Sequence, residues 1–115
     1  MAWKLHVRNV VSRMLQTQRA VQLGDVLLDP NSREVSIDGQ SVSLRLKEFD
    51  LLAALLERPN TALSREQLLQ SVWGYDFVGD TRTVDVHVAR LRDKIKESTL
   101  SIETVWGIGY KLVER

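Results

Sequence analysis

Arg82-Thr83-Val84-Asp85-Val86-His87-Val88-Ala89-Arg90-Leu91-Arg92-Asp93-Lys94-Ile95-Lys96-Glu97 is the stretch on which the fold turns. Val84, Val88, Leu91 and Ile95 stand at i, i+4, i+7 and i+11, the spacing of a narrow apolar stripe on an α-helix that must face a core. With successive residues turned by about 100°, the other side carries Arg82, Val86, Ala89, Arg90 and Asp93, flanked by Thr83, Asp85 and Arg92. A helix from Thr83 to Glu97 is therefore predicted, started by Asp80 or Thr81, either of which supplies a capping oxygen. Its outer face mixes bidentate donors, a hydroxyl and small apolar groups. A DNA major groove asks for this chemistry: Arg for guanine O6 and N7, a small aliphatic for the thymine methyl. Val86 and Ala89 are also small enough to let the helix come close to base edges. A solvated arginine-rich helix has a similar composition, and Asp85 and Asp93 oppose phosphate attraction, so this helix alone leaves both readings open. Asp85 is read as orienting a neighbouring arginine, with a contact to cytosine N4 as the alternative.

Order along the chain separates the two readings. Upstream, Phe49, Leu52, Ala53, Leu55 and Leu56 form one apolar helical stripe that ends at Arg58, before Pro59 and Asn60. A second helix begins at Ser64, which with Gln67 forms a Ser-x-x-Gln capping box, and runs through Leu68, Leu69 and Val72 to Gly74. A loop holding Tyr75, Phe77, Val78 and Gly79 leads into the third helix. Aromatics in a polar loop mean either a pinned loop or a docking surface. Downstream, residues 102–113 alternate around Gly107-Ile108-Gly109 and read as a hairpin, its G-x-G too short to signal a phosphate loop. A short well-capped helix, a loop, an exposed basic helix and a hairpin together make a helix-turn-helix with a wing. Trp73, Phe49 and Tyr110 are assigned to packing, since they lie on apolar stripes or strand faces.

From Val21 to Leu44 the period shortens to brief β-prone runs, VQLG, VLLD, EVSID and SVSL. Gly24-Asp25, Asp29-Pro30-Asn31-Ser32 and Asp38-Gly39 separate them. Asp-Gly between two such runs is a strong hairpin signal, because both turn residues take positive φ. Three or four short antiparallel strands follow. Before them, Trp3, Val7, Val10, Val11, Met14 and Leu15 fall at helical spacing. This amphipathic segment reads as a linker helix left from a neighbouring domain, with a basic membrane-surface helix or a transit peptide as alternatives.

At 115 residues the chain holds one domain of ordinary size. Hydrophobic residues at 43% and charged residues at 27% place it among globular proteins. With no cysteine, and with His6 and His87 far apart, neither a disulfide framework nor a metal centre is expected. No cofactor is expected either. Enzymatic chemistry lacks its parts: a Gly-rich phosphate loop, paired histidines and a serine elbow are all missing. No apolar run approaches a membrane span, so the expected setting is cytoplasmic, with no membrane partner. The formal net charge of +1 is too small to announce a nucleic-acid partner. Its distribution does more. Residues 1–19 carry Lys4, Arg8, Arg13 and Arg19 with no acid, and residues 82–96 carry Arg82, Arg90, Arg92, Lys94 and Lys96 against Asp85 and Asp93. A winged helix that binds only protein is the rival reading, and the arginines of the third helix argue against it.

The strings FDLLAALLERPNTALSREQLLQSVWG (49–74), DTRTVDVHVARLRDKI (80–95) and IETVWGIGYKL (102–112) resemble the effector domain of OmpR/PhoB-type bacterial response regulators, over about residues 21–113. The resemblance implies an α+β fold: a winged helix-turn-helix with an N-terminal four-stranded antiparallel sheet, three helices and a C-terminal β-hairpin wing. It implies sequence-specific binding of double-stranded DNA by a transcription regulator, with helix 83–97 in the major groove and hairpin 102–113 as the wing. Arg82, Thr83, Val86 and Arg90 match positions that meet bases or nearby phosphates, and His87 and Arg92 match backbone-contacting ones. Lys94, Thr104, Trp106 and Lys111 complete the expected DNA-binding set, with the wing over Thr104 to Tyr110.

The family's RNA-polymerase loop, which touches the sigma or alpha subunit, falls on Trp73, Gly74, Tyr75, Phe77, Val78 and Asp80. Direct repeats bound by head-to-tail pairs, and hence a homodimer on DNA, are also implied. Two positions depart from the family pattern. Trp106 stands where many relatives carry Arg, and is read as packing or lying along the sugar backbone. Arg45 stands where many open the first helix with Thr or Ser, which removes a hydroxyl cap and is read as affecting helix onset alone. Residues 1–19 then read as the end of a receiver domain and a linker, KLHVRNVVSRM resembling its closing turns, and residues 20–115 as the DNA-binding domain. No two acidic residues are adjacent, so a phosphoacceptor pocket, the receiver and its sensor kinase are expected to lie outside these residues.

Overall fold

The structure, a computed structural model, describes residues 20–115; the amphipathic segment and the receiver remnant read over residues 1–19 lie outside it. Four short strands, β1 (Val21–Leu23), β2 (Val26–Asp29), β3 (Glu34–Ile37) and β4 (Gln40–Val42), form an antiparallel meander in that order. Its turns carry the predicted chemistry. Asp38 and Gly39 both take positive φ, 52° and 80°, and the Asp29 carboxylate accepts the Asn31 amide at 2.9 Å. Alternation sends Val26, Leu28, Val35 and Ile37 into the core and leaves Leu27 outside. The last strand stops at Val42, two residues short of the predicted Leu44.

Three helices follow: α1 (Leu46–Glu57), α2 (Arg65–Trp73) and α3 (Arg82–Lys94). In α1 the stripe of Phe49, Leu52, Leu55 and Leu56 is buried as the period demands, together with Leu51. Arg45 brings no acceptor to its start, and the Glu48 carboxylate takes the Arg45 amide at 3.0 Å, one half of a capping box. At the head of α2 the box is complete: Ser64 Oγ accepts the Gln67 amide at 3.0 Å and Gln67 Oε1 accepts the Ser64 amide at 2.8 Å. Gly74, at φ 97°, ends that helix and donates to Gln70 O and Leu69 O.

Val84, Val88 and Leu91 of α3 are fully buried, and Ile95 just beyond is 2% exposed. Burial on this scale stabilises by roughly 1.5–3 kcal/mol per side chain. The helix begins one residue earlier and ends three earlier than the expected 83–97. Ile95 leaves the helical region (φ −108°, ψ 17°), and Ser98 is drawn away by its bond to Asp25 Oδ1 at 2.6 Å. Thr81 makes no side-chain cap. Asp80 serves instead, accepting the Arg82 amide at 2.8 Å.

The C-terminal hairpin runs longer than expected, β6 (Leu100–Val105) against β7 (Gly109–Glu114). A third strand, absent from the sequence reading, joins it: β5 (Leu63–Ser64) pairs with Tyr110 and Gly109, giving the order β5-β7-β6. A Cβ on Gly109 would stand 2.0 Å from Leu63 O, so only glycine admits this approach. No helix among the described residues is long and apolar enough to cross a membrane.

Candidate nucleic-acid interface

Once the apolar stripe of α3 is buried, the opposite face has nowhere to go but solvent. Arg82, Val86, Ala89, Arg90 and Asp93 are all exposed there. Arg82 lies 3.5 Å from Asp80 in a loose, open pair. Arg90 takes no hydrogen-bond or ion-pair partner among the described residues and leaves its whole guanidinium fork available.

The other predicted contacts on this helix are already partly engaged. Arg92 Nε donates to Ile102 O and its Nη2 to Thr104 Oγ1, both at 2.8 Å, while its plane lies 5.5 Å from the centre of the Tyr110 ring. Arg92 and Thr104 thus fasten β6 to α3. His87 donates from Nδ1 to Thr83 O at 2.8 Å and sets its ring edge-on to Trp73, 4.8 Å away. Lys94 donates to Ser43 O at 3.1 Å and stands 3.9 Å from the buried Glu48 carboxylate. Lys111 pairs with Glu103 at 3.7 Å.

The sequence reading gave Asp85 a neighbouring arginine; its partner is Arg65, twenty residues away at the head of α2. The guanidinium is bidentate, Nε to Oδ1 at 3.1 Å and Nη2 to Oδ2 at 2.5 Å, and the Tyr110 hydroxyl donates to Oδ1 at 2.6 Å. Burial raises the Asp85 pKa, but the Tyr110 and Arg65 bonds outweigh it and hold the carboxyl below its ordinary value. Burial, and then the same carboxylate, push the Tyr110 hydroxyl up, and hydrogen bonding to Asp85 raises Arg65. One carboxylate therefore joins α2, α3 and the wing. No spacing rule pointed to Arg65 or Tyr110, because the bond depends on the β5–β7 pairing.

The wing turn, residues 106–108, projects beyond this lock. Gly107 adopts φ 80°, Ile108 N–H closes on Val105 O at 2.9 Å, and Trp106 is 89% exposed with Ile108 beside it. Of the two readings for Trp106, packing is not what the structure has.

The loop between α2 and α3 divides in two. Phe77 turns back, its ring 6.2 Å from that of Trp73 and across the backbone of Gly79. Tyr75 and Val78 are 85% and 97% exposed. The pinned reading fits Phe77, which is still 36% exposed, and does not fit Tyr75 or Val78.

A profile of the family described as "Transcriptional regulatory protein, C terminal" matches residues 39–112. The uncharacterized transcriptional regulatory protein YclJ of Bacillus subtilis is 45% identical over 116 residues, spanning 94% of this chain and 51% of YclJ. The response regulator SaeR of Staphylococcus aureus is 41% identical over 114 residues, 93% of this chain and 50% of SaeR. The chain thus spans about half the length of these relatives. Among solved structures, the Klebsiella pneumoniae RstA DNA-binding domain, crystallised with the RstA box, superposes with a TM-score of 0.73 at 31% identity, covering 83% of this chain and 97% of that one. The DNA-binding domain of Bacillus subtilis CssR gives 0.68 at 40% identity, covering 76% and 98%. Family profile, relatives and superpositions agree with the four-stranded sheet, three helices and winged hairpin, and the chain belongs to the C-terminal domain family of transcriptional regulatory proteins, of the OmpR/PhoB type.

Proposed function

We propose that this domain binds duplex DNA sequence-specifically as the output domain of a transcriptional response regulator, with no catalytic activity of its own. The observation that carries the proposal is the outer face of α3. Arg90, without a partner, and Arg82, only loosely paired with Asp80, stand on either side of the small Val86 and Ala89, while Arg65, Asp85 and Tyr110 hold the helix and wing in one arrangement. Arg90, Val86 and Arg82 read base edges in the major groove, Thr83 and His87 sit at its rim, and the wing brings Trp106 and Lys111 to the neighbouring minor groove. Arg92, Thr104 and Lys94 act chiefly by fixing that geometry.

Residues 20–115 form the DNA-binding domain in this proposal. Residues 1–19 are the end of a receiver domain and its linker, and phosphorylation by a sensor kinase acts through that receiver. Two copies bind head-to-tail on direct repeats spaced by about one helical turn, ~10–10.5 bp. The exposed Tyr75 and Val78 meet RNA polymerase through its sigma or alpha subunit.

Selection from random duplexes at fixed salt tests the reading. A defined motif is expected, and Arg90→Ala should relax it at one or two positions. Recovery of unselected sequences by the wild-type chain would overturn it.

A further inference from the structure

Beside the outer face of α3 lies an open depression of about 420 Å³, bounded by Arg45, Glu48, Ala89, Arg90, Asp93 and Lys94. It joins the exposed end of the proposed base-reading face to the residue that precedes α1, far away in sequence. Its charges have different liberties. Lys94 is tied to Ser43 O and Glu48. Glu48 is 1% exposed, and its carboxylate already receives the Arg45 amide. Asp93 is turned to Lys96 at 3.7 Å. The side chains of Arg45 and Arg90 are exposed and take no partner among the described residues. Two unpartnered arginines, the small Ala89 and the Lys94 side chain thus share the lining of this depression with the two engaged carboxylates.

We propose that this depression seats a phosphodiester of the bound duplex, held between Arg45 and Arg90. The proposal rests on the DNA-binding reading above and gives Arg45 a role beyond opening α1. The chemistry favours a phosphodiester. Guanidinium forks match its paired oxygens, the hollow sits at the edge of the face assigned to the major groove, and a strand leaving that groove places its backbone there. Arg45 therefore contributes charge and register without reading sequence, whereas Arg90 is shared between the phosphate and a base.

The test uses the 115-residue chain on a selected duplex and a random one, across a salt series. Arg45→Ser removes the cation yet supplies a capping hydroxyl, so folding is preserved or improved, which a thermal melt checks. Arg45→Lys keeps the charge. Arg45→Ser should weaken both duplexes alike, lower the slope of log K against log salt by about one, and leave the selected motif unchanged, with Arg45→Lys restoring the slope. An unchanged slope in Arg45→Ser overturns the phosphate seat while leaving DNA binding intact. A changed base preference in Arg45→Ser overturns it too. A wild-type chain that binds neither duplex defeats the seat and the DNA-binding reading together.

Discussion

The two β-structures are attached to different helices by polar bonds of different extent. The N-terminal sheet gives Val26, Leu28, Val35 and Ile37 to the apolar core. Its polar ties are two turns: Asp25 accepts from Ser98 Oγ and from the amide and hydroxyl of Thr99, and Arg33 pairs with Asp50 of α1 at 2.9 Å while lying over the Phe49 ring. The wing also buries Leu100, Ile102 and Leu112. Its setting against α3, however, is fixed by directional bonds: Arg65 and Tyr110 to Asp85, and Arg92 to Ile102 and Thr104. Burial sets how strongly parts hold together and is indifferent to angle. Charge-assisted bonds set angle and respond to acid. Both halves use them, but only the wing half places them on Asp85 and Arg92 of α3, the helix whose outer face is exposed.

Substitutions should separate these two modes. Leu28→Ala, in the sheet, is expected to cost about 2–5 kcal/mol of unfolding free energy, read from urea melts, with DNA affinity per folded molecule unchanged. A loss of specificity in the folded fraction would contradict the division. Arg90→Ala should do the converse: about 1–3 kcal/mol of specific affinity lost, smaller loss on random duplexes, and a melt within about 0.5 kcal/mol of wild type. Equal losses on selected and random duplexes would make Arg90 a phosphate clamp alone.

Asp85→Ala lies between them. It strands Arg65 and Tyr110, partly compensated by water because the site is half open, and should cost about 1–2 kcal/mol of stability while also weakening specific binding. Asp85→Asn keeps an acceptor for Tyr110 and should lose less of both. Stability unaffected by either change would remove the lock.

Acid probes the same carboxylate. Because its folded pKa lies below the unfolded one, Asp85 stabilises fully above the usual carboxylate range and loses that contribution as pH falls through the depressed value. Asp25, held down chiefly by the Ser98 hydroxyl, follows the same sign. Urea midpoints of wild type and Asp85→Asn should therefore converge as the pH is lowered; parallel curves would mean the bond contributes nothing. The smallest physical effect is expected from Tyr75→Ser with Val78→Ser, which should leave melt and DNA affinity within about 0.5 kcal/mol of wild type while activated transcription from a matched promoter falls. A joint fall of stability and affinity would show instead that this pair packs.

Much of this was legible because it is local. The i, i+4, i+7, i+11 stripe located α3, Ser64 and Gln67 located the start of α2, and Asp38-Gly39 located a hairpin, since each signal resides within a few neighbouring residues. The exposed Arg90 and Val86 followed from the same wheel. Three features could not be read this way. β5 is two residues long and is a strand only through its pairing with β7. Arg92 and Lys94 look like free cations in sequence, but the carbonyls that receive them come from β6 and from the chain after β4. The loop before α3 divided because Gly79, which has no Cβ, lets the Phe77 ring cross its backbone and leaves Tyr75 and Val78 outside.

Ser64 occupies two structures at once. It is the last residue of β5, opposite Gly109 in the wing, and its hydroxyl starts α2, whose first residue grips Asp85 on α3. Mechanically, the wing and α3 are the jaws of a calliper whose opening is set jointly by this two-residue bridge and by the bonds that converge on Asp85 and Arg92. A calliper does not yield to the object it measures. On the proposed reading, the duplex must supply the compliance, bending or narrowing until backbone and grooves meet both jaws. Base pairs between the jaws, touched by no side chain, then acquire a preference through their stiffness. Placing a pyrimidine–purine step there should change affinity without altering any contact, and Gly109→Ala, which forces the bridge open, should blunt that discrimination.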